Sequence, residues 1–520
     1  MSCTIIGGGP SGLYFAIQMK KQNPAHNITI YERDNPNETF GWGIVFSQNT
    51  MNLFQANDPG TARAIADAAQ KWDHAAMVHR GEKNKVYGNV TYGIRRITLL
   101  NILQQRAHEL GIKIIFDKAI DDEAEVEALA QNCDLLVGAD GVNSIVRRAY
   151  SDFFLPSSDL RQNKFVWLGT EQLDFSGLTL SFRQNDAGLF IGHAYPFSQA
   201  HSTFIVEVAP ATWLRAGLNK MSDAETLAYC ADVFKDDLGA HPLLAKRAIK
   251  WQQFPLLKNK HWHWKNIVLL GDALHTVHFS IGSGTKLAVE DAVYLARAFA
   301  QKENVADALK EFQRARKPML DQYQAAAVQS LEWFENVDQH LHLDPVPFTY
   351  AVATRSNRVG YNRLKRQSPD FIAQVEKYRA QLPPPGPIPR EFLDLFEKVS
   401  YGHLAVLMRD GTPHVSPVWV DYDGKYLLIN SAKGRQKDLN MARHPDVALE
   451  IPDPDNPNRY VMVRGRVVEI VEEGADAHLD QLARRYLARD NYPSNWKFPG
   501  EVRRIYKIEP KHVVAWEPFG

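Results

Sequence analysis

Ten residues near the start of the chain, Thr4-Ile5-Ile6-Gly7-Gly8-Gly9-Pro10-Ser11-Gly12-Leu13, leave few folds open. An apolar run, the spacing G-x-G-x-x-G and an amphipathic continuation read as a strand that turns sharply into a helix. Gly7 permits the turn, Gly9 lets the backbone approach a pyrophosphate, and Gly12 lets helix and strand pack closely. The helix N-terminus that follows, beyond Pro10, offers free N–H groups, that of Ser11 among them, and a positive dipole end to a phosphate. Ile28-Thr29-Ile30-Tyr31 reads as the next strand and ends in Glu32, 20 residues past Gly12. A carboxylate there accepts the hydroxyls of an adenosine ribose. The pattern predicts a Rossmann-type α/β domain that binds a dinucleotide.

Two later motifs narrow the choice of dinucleotide. An apolar strand, Asp134 to Val137, runs into Gly138-Ala139-Asp140-Gly141, with Ser144 and Arg147 beyond. A second, Ile267 to Leu270, runs into Gly271-Asp272-Ala273-Leu274-His275, then Gly282-Ser283-Gly284-Thr285 and a helix carrying Glu290-Asp291. Asp272 is placed to hydrogen-bond a ribityl chain, and the Gly284 helix end can direct N–H dipoles at a flavin pyrimidine ring. These three motifs, with Arg96 at the head of a helix carrying Leu99 and Leu103, resemble the single-component FAD-dependent aromatic hydroxylases. The resemblance implies an FAD-binding domain interleaved with a β-sheet substrate domain over residues 1–381. It implies FAD held by Gly7, Gly9, Pro10, Ser11, Gly12, Glu32, Arg33, Ser47, Arg96, Asp140, Asp272, Gly282, Gly284 and Thr285. NAD(P)H would reduce the flavin without a nucleotide domain of its own. Dioxygen would then form a flavin hydroperoxide whose distal oxygen passes to an electron-rich ring.

The stretch His275-Thr276-Val277-His278-Phe279-Ser280-Ile281-Gly282-Ser283-Gly284 departs from the family's commoner form, which has prolines and Gly-x-Gly-x-Asn. This version is similar to the branch acting on aromatic CoA thioesters, that of salicylyl-CoA 5-hydroxylase and the monooxygenase half of anthraniloyl-CoA monooxygenase/reductase. The stretches 41–47, 165–170, 193–197 and 202–207 match the same branch, and Arg355-Ser356 and residues 364–371 continue the likeness. The expected substrate is an aromatic acyl-CoA such as 2-aminobenzoyl-CoA or salicylyl-CoA. The alternative is a free aromatic or indolic metabolite. His278 and His193 are the candidate catalytic residues, since imidazole changes its charge near neutral pH. Each can also be read as a satisfied structural histidine, His193 more readily than His278.

Leu382-Pro383-Pro384-Pro385-Gly386-Pro387-Ile388-Pro389 reads as a semi-rigid polyproline spacer. Beyond it, short β-type runs follow at 403–408, 415–420, 426–429, 447–451, 460–470 and 505–516, with a single helix near 476–488. Asp410-Gly411 and Asp423-Gly424 supply hairpin turns. The tail, 390–520, resembles the pyridoxamine-phosphate-oxidase-like split barrels, in the branch that binds FMN or a deazaflavin. The resemblance implies a cofactor phosphate gripped by Ser431, Lys433 and Lys437, and a homodimer. The tail would then be a second, reductase-like redox centre or only a dimerisation module.

At 520 residues the chain is expected to hold three or four folding units at about 150 residues each. Lys+Arg and Asp+Glu are equal at 60 each, so no bulk charge points to nucleic acid or anionic lipid. Cys3, Cys133 and Cys230 match no metal spacing and suggest a reducing compartment. No apolar run nears the roughly 20 residues of a membrane span. A cytoplasmic enzyme, with neither metal nor membrane, is the expectation.

Overall fold

The computed structural model describes all residues except 40, 176, 357, 382–386 and 518–520, and leaves the side chains of Asn89 and Gln381 undescribed. The proline-rich spacer thus lies mostly outside the described residues. The chain divides into two compact units, Met1–Val375 and Glu376–Gly520. Among the described residues no helix is long and apolar enough to cross a membrane.

The first unit contains two sheets. One runs in the order β14 (His263–Trp264), β15 (Ile267–Leu269), β7 (Leu135–Gly138), β1 (Ser2–Ile6), β2 (Asn27–Tyr31), β6 (Lys113–Ile115). From β15 to β6 every pairing is parallel. Parallel strands are covered on both faces, so they read as apolar runs; Ile5, Leu135, Leu136, Val137, Val268 and Leu269 are fully buried. The helices Pro10–Gln22 and Gly284–Gln301 complete this core through Leu13, Phe15, Leu287 and Val293.

The second sheet runs β12 (Leu243–Leu244), β8 (Pro156–Thr170), β11 (Ser202–Val208), β10 (Gly188–Pro196), β9 (Leu178–Asn185), β4 (Gln70–His79), β5 (Glu82–Arg95), β3 (Gly43–Ser47), with β13 (Gln252–Asn259) also on β8. Side chains alternate across its faces. Val166, Leu168, Phe204, Val206, Phe190 and Ala194 pack into one apolar cluster with the helix Asp223–Val233 and its neighbours. The other face carries Phe165, Trp167, Ile205, Glu207, Ile191 and His193, as the registers Phe165↔Glu207 and His193↔Ile205 require.

The second unit is an antiparallel sheet in the order β17 (Pro413–Val418), β16 (Gly402–Leu407), β20 (Asp446–Asp453), β21 (Asn456–Val471), β22 (Arg503–Trp516), β19 (Leu427–Ala432), β18 (Val420–Tyr422). It closes around Leu404, Val420, Ile429, Leu449, Val463, Tyr506 and Ile508, the half-barrel of a split-barrel fold. Two readings change. The strand expected over 415–420 is interrupted at Trp419, which lies between β17 and β18 and stacks on Tyr486. The expected helix is present at Ala475–Leu487, and a second helix, Gln436–Arg443, lies where only a cofactor loop was expected.

The motif glycines differ in what they meet. Gly7 has φ +108°, and a Cβ there would stand 2.3 Å from the Ala139 carbonyl oxygen. A Cβ on Gly12 would stand 2.3 Å from the Gly7 oxygen. Gly9 is extended, φ −73° and ψ 178°, and a Cβ on it meets nothing within 4 Å. Two of these glycines are therefore required by the protein's own packing, while the third faces open space. Gly12→Ala should cost about 1–3 kcal/mol by overpacking and lower the melting temperature of the flavin-free protein. Gly9→Val should leave that temperature unchanged and yield colourless protein; a yellow Gly9→Val protein would remove the pyrophosphate from this turn.

Candidate active site

Four sequence-predicted elements leave the parallel sheet at the carboxyl ends of adjacent strands: Gly7 after β1, Glu32 after β2, Asp140 after β7 and Asp272 after β15. That edge is where open α/β sheets hold their ligands. Glu32 is fixed in place, its Oε2 accepting from Gly8 N at 2.6 Å and its Oε1 from Asp34 N at 2.9 Å. Ser11 is buried and touches the turn at Gly271, where a Cβ would lie 2.6 Å from its hydroxyl. Asp272 is reached by solvent yet otherwise ringed by protein, and that desolvation raises its carboxyl pKa against the attraction of Arg96 and His275. Arg96 sits within electrostatic reach of both Asp272 and Glu32. Its Nε donates to Thr39 Oγ1 at 3.1 Å. A Cβ on Gly284, at the head of its helix, meets nothing within 4 Å, as at Gly9. Gly282 takes φ +58° to end the turn Phe279–Ile281, and Thr285 is half-buried in the first turn of the following helix.

Three predicted residues carry local structural duties. Asp140 Oδ2 accepts from Ile145 N at 2.7 Å and closes the turn into the helix Ile145–Ala149. Ser47 caps the helix Gln48–Asn57 through Thr50 N. Pro10 occupies the first turn of its helix, where no N–H is needed. Arg33 is exposed. Arg147 donates to Ala273 O at 2.9 Å and to Val142 O at 2.5 Å, clamping together the turns that bear Asp140 and Asp272.

Beside this edge, joined to it by the turn 278–284, a cluster of aromatic rings packs around a histidine–carboxylate pair. His193 Nε2 and Glu207 Oε2 are 2.9 Å apart, a diagonal pair across β10 and β11, and both are nearly fully buried. Asn163 Nδ2 donates to the other Glu207 oxygen at 2.8 Å. Burial alone would raise the Glu207 carboxyl pKa; the hydrogen bonds of His193 and Asn163 oppose it, and the carboxyl is held below its usual range. The His193 ring lies 5.3 Å from that of Phe279 and 5.2 Å from that of Phe334. Phe165 touches Phe279 at 4.9 Å. His278 is 2% exposed, and burial pulls its pKa down to about 4 against the attraction of Glu207. Its Nδ1 accepts from Ser280 N at 3.3 Å, which leaves the proton of the neutral ring on Nε2.

Sequence reasoning named the two histidines but missed what holds them. Glu207 was legible as a carboxylate at an inward position of an apolar strand, which demands a partner. Arg355 was not legible in this role. Its Nη2 donates to Ser280 O at 2.7 Å and its Nε to Ser330 Oγ at 2.9 Å, tying the His278 turn to the helix Val305–Glu335. Desolvation lowers its pKa to about 10, partly offset by Glu207.

In the second unit Ser431, the penultimate residue of β19, has its hydroxyl buried and without a hydrogen-bond partner among the described residues. Lys433 and Lys437 do not share surroundings. The Lys433 ammonium lies 3.5 Å from Glu472, which Arg504 also holds. Lys437, in the first turn of the helix Gln436–Arg443, is half-buried, and desolvation with the nearby Arg435 and Arg503 lowers its pKa. Arg503, 66 residues along the chain from Lys437 and on the strand beside Ala432, is the cation that sequence spacing could not find.

Comparison with known proteins agrees with this geometry. The family described as "FAD binding domain" matches residues 1–327, and that described as "Pyridoxamine 5'-phosphate oxidase" matches residues 388–517. Salicyloyl-CoA 5-hydroxylase of Streptomyces sp is 32% identical over 445 residues, covering 81% of this chain and 85% of that protein. Protodeoxyviolaceinate monooxygenase of Chromobacterium violaceum is 33% identical over 387 residues, covering 73% and 100%. In fold, a solved 2-methyl-3-hydroxypyridine-5-carboxylic acid oxygenase superimposes with a TM-score of 0.55 at 18% identity, over 70% of this chain and 97% of that one. The chain thus belongs to the FAD-dependent aromatic hydroxylases, flavoprotein monooxygenases, and carries a pyridoxamine 5'-phosphate oxidase-type domain behind the FAD-binding one.

Proposed function

We propose that the first unit hydroxylates the ring of an aromatic CoA thioester bearing an ortho amino or hydroxyl group, such as 2-aminobenzoyl-CoA or salicylyl-CoA. The balance is ring C–H, dioxygen, NAD(P)H and a proton to ring C–OH, NAD(P)⁺ and water. Bound FAD supplies the two-electron activation of dioxygen. Gly9, Ser11, Glu32, Arg96, Asp272 and Gly284 would hold it along the sheet edge, with Pro10, Arg33, Ser47, Asp140, Gly282 and Thr285 shaping the rim. The observation that carries the substrate reading is the pairing of His193 with buried Glu207 beside Phe279. Glu207 orients the imidazole, so His193 can accept the proton of an ortho hydroxyl, or a hydrogen bond from an ortho amino group, and raise the electron density of the ring. The Nε2–H of neutral His278 can donate to the substrate carbonyl. Phe165, Phe254, Phe279 and Phe334 place apolar rings around these groups, with Phe334 buried and the other three half-buried.

Charge favours the thioester over the free acid. The cluster already buries the Glu207 carboxylate, and Arg355 spends donors on Ser280, Ser330 and Val352. A free benzoate would add a second buried anion, whereas a thioester is neutral there. The Streptomyces relative acts, by its name, on a CoA thioester; the Chromobacterium relative, by its name, acts on protodeoxyviolaceinate and supports the second reading. NADH or NADPH oxidation by the FAD-loaded protein should accelerate with 2-aminobenzoyl-CoA or salicylyl-CoA and little with anthranilate or salicylate. Turnover of free acids or indolic acids without response to thioesters would transfer the enzyme to the second reading.

For the second unit we propose an FMN or deazaflavin site at Ser431, Lys433, Lys437 and Arg503, as a second redox centre. The unpartnered Ser431 hydroxyl and the half-buried Lys437 support an anion there, while Arg435 and Arg503 beside Lys437 are both paired with Glu501. The exposed Leu407, Val415, Met462 and Trp516 on the outer sheet face support a homodimer. This reading places the domain boundary in the spacer 382–389, between residues 1–381 and 390–520.

A histidine of the aromatic cluster sets a pH dependence. A folded pKa of about 4 for His278 lies below the ordinary 6.5, so the unfolded chain binds more protons between those values. Stability from this group is complete above pH 6.5 and falls by about 3 kcal/mol on acidification to pH 4. Urea unfolding of the wild type should therefore lose more stability between pH 7 and 4.5 than that of His278→Gln; equal losses would place His278 in water. For the barrel, the colourless Gly9→Val protein should still bind FMN or a deazaflavin. Lys437→Ala should weaken that binding by roughly tenfold to a hundredfold, one charged hydrogen bond of about 1.5–3 kcal/mol. Absence of binding in both proteins would leave the unit as an assembly module.

A further inference from the structure

A cavity of about 290 Å³ lies on the aromatic-cluster side of the second sheet, lined by Thr39, Gly41, Trp42, the stretch Phe165–Leu168 and residues 245–252. Its walls are aromatic and its mouth is cationic. Gly41 and Gly169 let Trp167 and Trp42 close in, since a Cβ on either glycine would stand 2.7 or 2.6 Å from the opposing ring. Lys246 lies 4.8 Å above the Trp42 ring and donates to Gly41 O at 2.8 Å. Arg247 and Lys250 stand exposed beside it, and Arg95 lies within electrostatic reach of Lys246. The carboxylates nearby are Glu38, loosely opposite Arg247 at 3.9 Å, and Asp223, which accepts from Ile249 N at 3.1 Å. The inner wall is Phe165, the same ring that touches Phe279 in the cluster.

We propose that this cavity is the subsite for the arm of a CoA thioester, with the pantetheine chain between Trp42, Trp167 and Phe165 and the phosphates of the nucleotide end held by Arg247, Lys250 and Lys246. The inference rests on the thioester reading above and names the residues that would enforce it. The geometry suits an elongated ligand with one neutral ring and one polyanionic end. A neutral ring lies against the His193–Phe279 cluster, a flexible chain passes the shared Phe165 wall, and the anionic end meets an excess of cations in water. The cavity is too small for a whole CoA, so the phosphates stay at the exposed mouth. There each contact with a cation is weak and is weakened further by salt.

The test uses the FAD-loaded full chain and the variant Arg247→Ala/Lys250→Ala, both residues being exposed. The probes are the CoA thioester and the N-acetylcysteamine thioester of one aromatic acid, which lacks the nucleotide. The wild type should favour the CoA thioester in kcat/KM, and the double variant should shrink that preference by about tenfold, chiefly through KM and less so at high salt. If the preference is unchanged while thioesters are turned over, the subsite is wrong and the function stands. If instead the KM of NADH or NADPH rises and the preference is unchanged, the cations serve the reductant and the inference falls. If the wild type turns over no thioester, the functional reading fails, and titration with CoA alone decides the site. Binding by the wild type that the variant loses supports the subsite, and absence of binding to both overturns it.

Discussion

The nucleotide edge depends on how closely two backbones meet at Gly7. Because Gly7 has no Cβ, the Ala139 carbonyl approaches its Cα region, and Gly12 in turn approaches the Gly7 oxygen. Ala139 N also donates to Ile6 O at 2.8 Å, and Gly7 N to Tyr31 O at 2.8 Å. These contacts lock β7, β1 and β2 side by side at their carboxyl ends. Glu32 and the Asp140 turn are then positioned without further choice. Arg147 carries the same constraint to the turn after β15, and so to Asp272. A side chain at Gly7 or Gly12 would shift all of these together, whereas one at Gly9 would disturb only a ligand.

The head of the helix Gly284–Gln301 is held by a second, ionic device. Asp291, fully buried, accepts from Arg316 Nε at 2.9 Å and lies 2.7 Å from His275 Nε2. Arg316 reaches Glu290 at 2.9 Å, and Glu290 reaches Lys286 at 3.2 Å. Burial would raise the Asp291 pKa, but His275 and Arg316 reverse it and keep the carboxyl ionised. Removing one partner from such a network leaves a buried charge uncompensated, a loss of about 3–5 kcal/mol. The network ties the Asp272–His275 turn, the Gly284 helix and the helix Val305–Glu335 into one body. Its role is positional, since its charges neutralise one another.

Local features of the sequence carried most of the fold. The glycine spacing, the apolar runs of β1, β7 and β15, and the short alternating runs of the barrel all depend on neighbours within a few residues. What stayed illegible was non-local. Glu207 meets His193 only because β10 and β11 pair in one register, and Arg355 reaches Ser280 across 75 residues. The helix Gln436–Arg443 was obscured because its first turn, Gln436-Lys437-Asp438, reads equally as a basic loop; Asp438, bonded to Gly434 N and to Arg504, settles it as a helix start. The same non-locality separates the two lysines expected to act together. Lys433 is drawn toward Glu472, while Arg503 arrives from another strand to stand with Lys437.

The His278 turn is where the two halves of the site become one problem. Residues 278–284 carry a neutral histidine at one end and the open Gly284 helix start at the other. Between them, Ser280 is held twice: its carbonyl by Arg355 and its hydroxyl by Ser330 Oγ at 2.9 Å. Arg355 keeps its positive charge at neutral pH even with its pKa lowered to about 10, and the ionised Glu207 nearby offsets the cost of leaving it among apolar rings. The histidine that stays neutral, the carboxylate that stays ionised and the arginine that stays charged are thus mutually dependent. His278 and the Gly284 helix start are held in register by the seven-residue turn 278–284, braced at its middle. That spacing therefore depends on Arg355 and Ser330, which reach the turn from outside it.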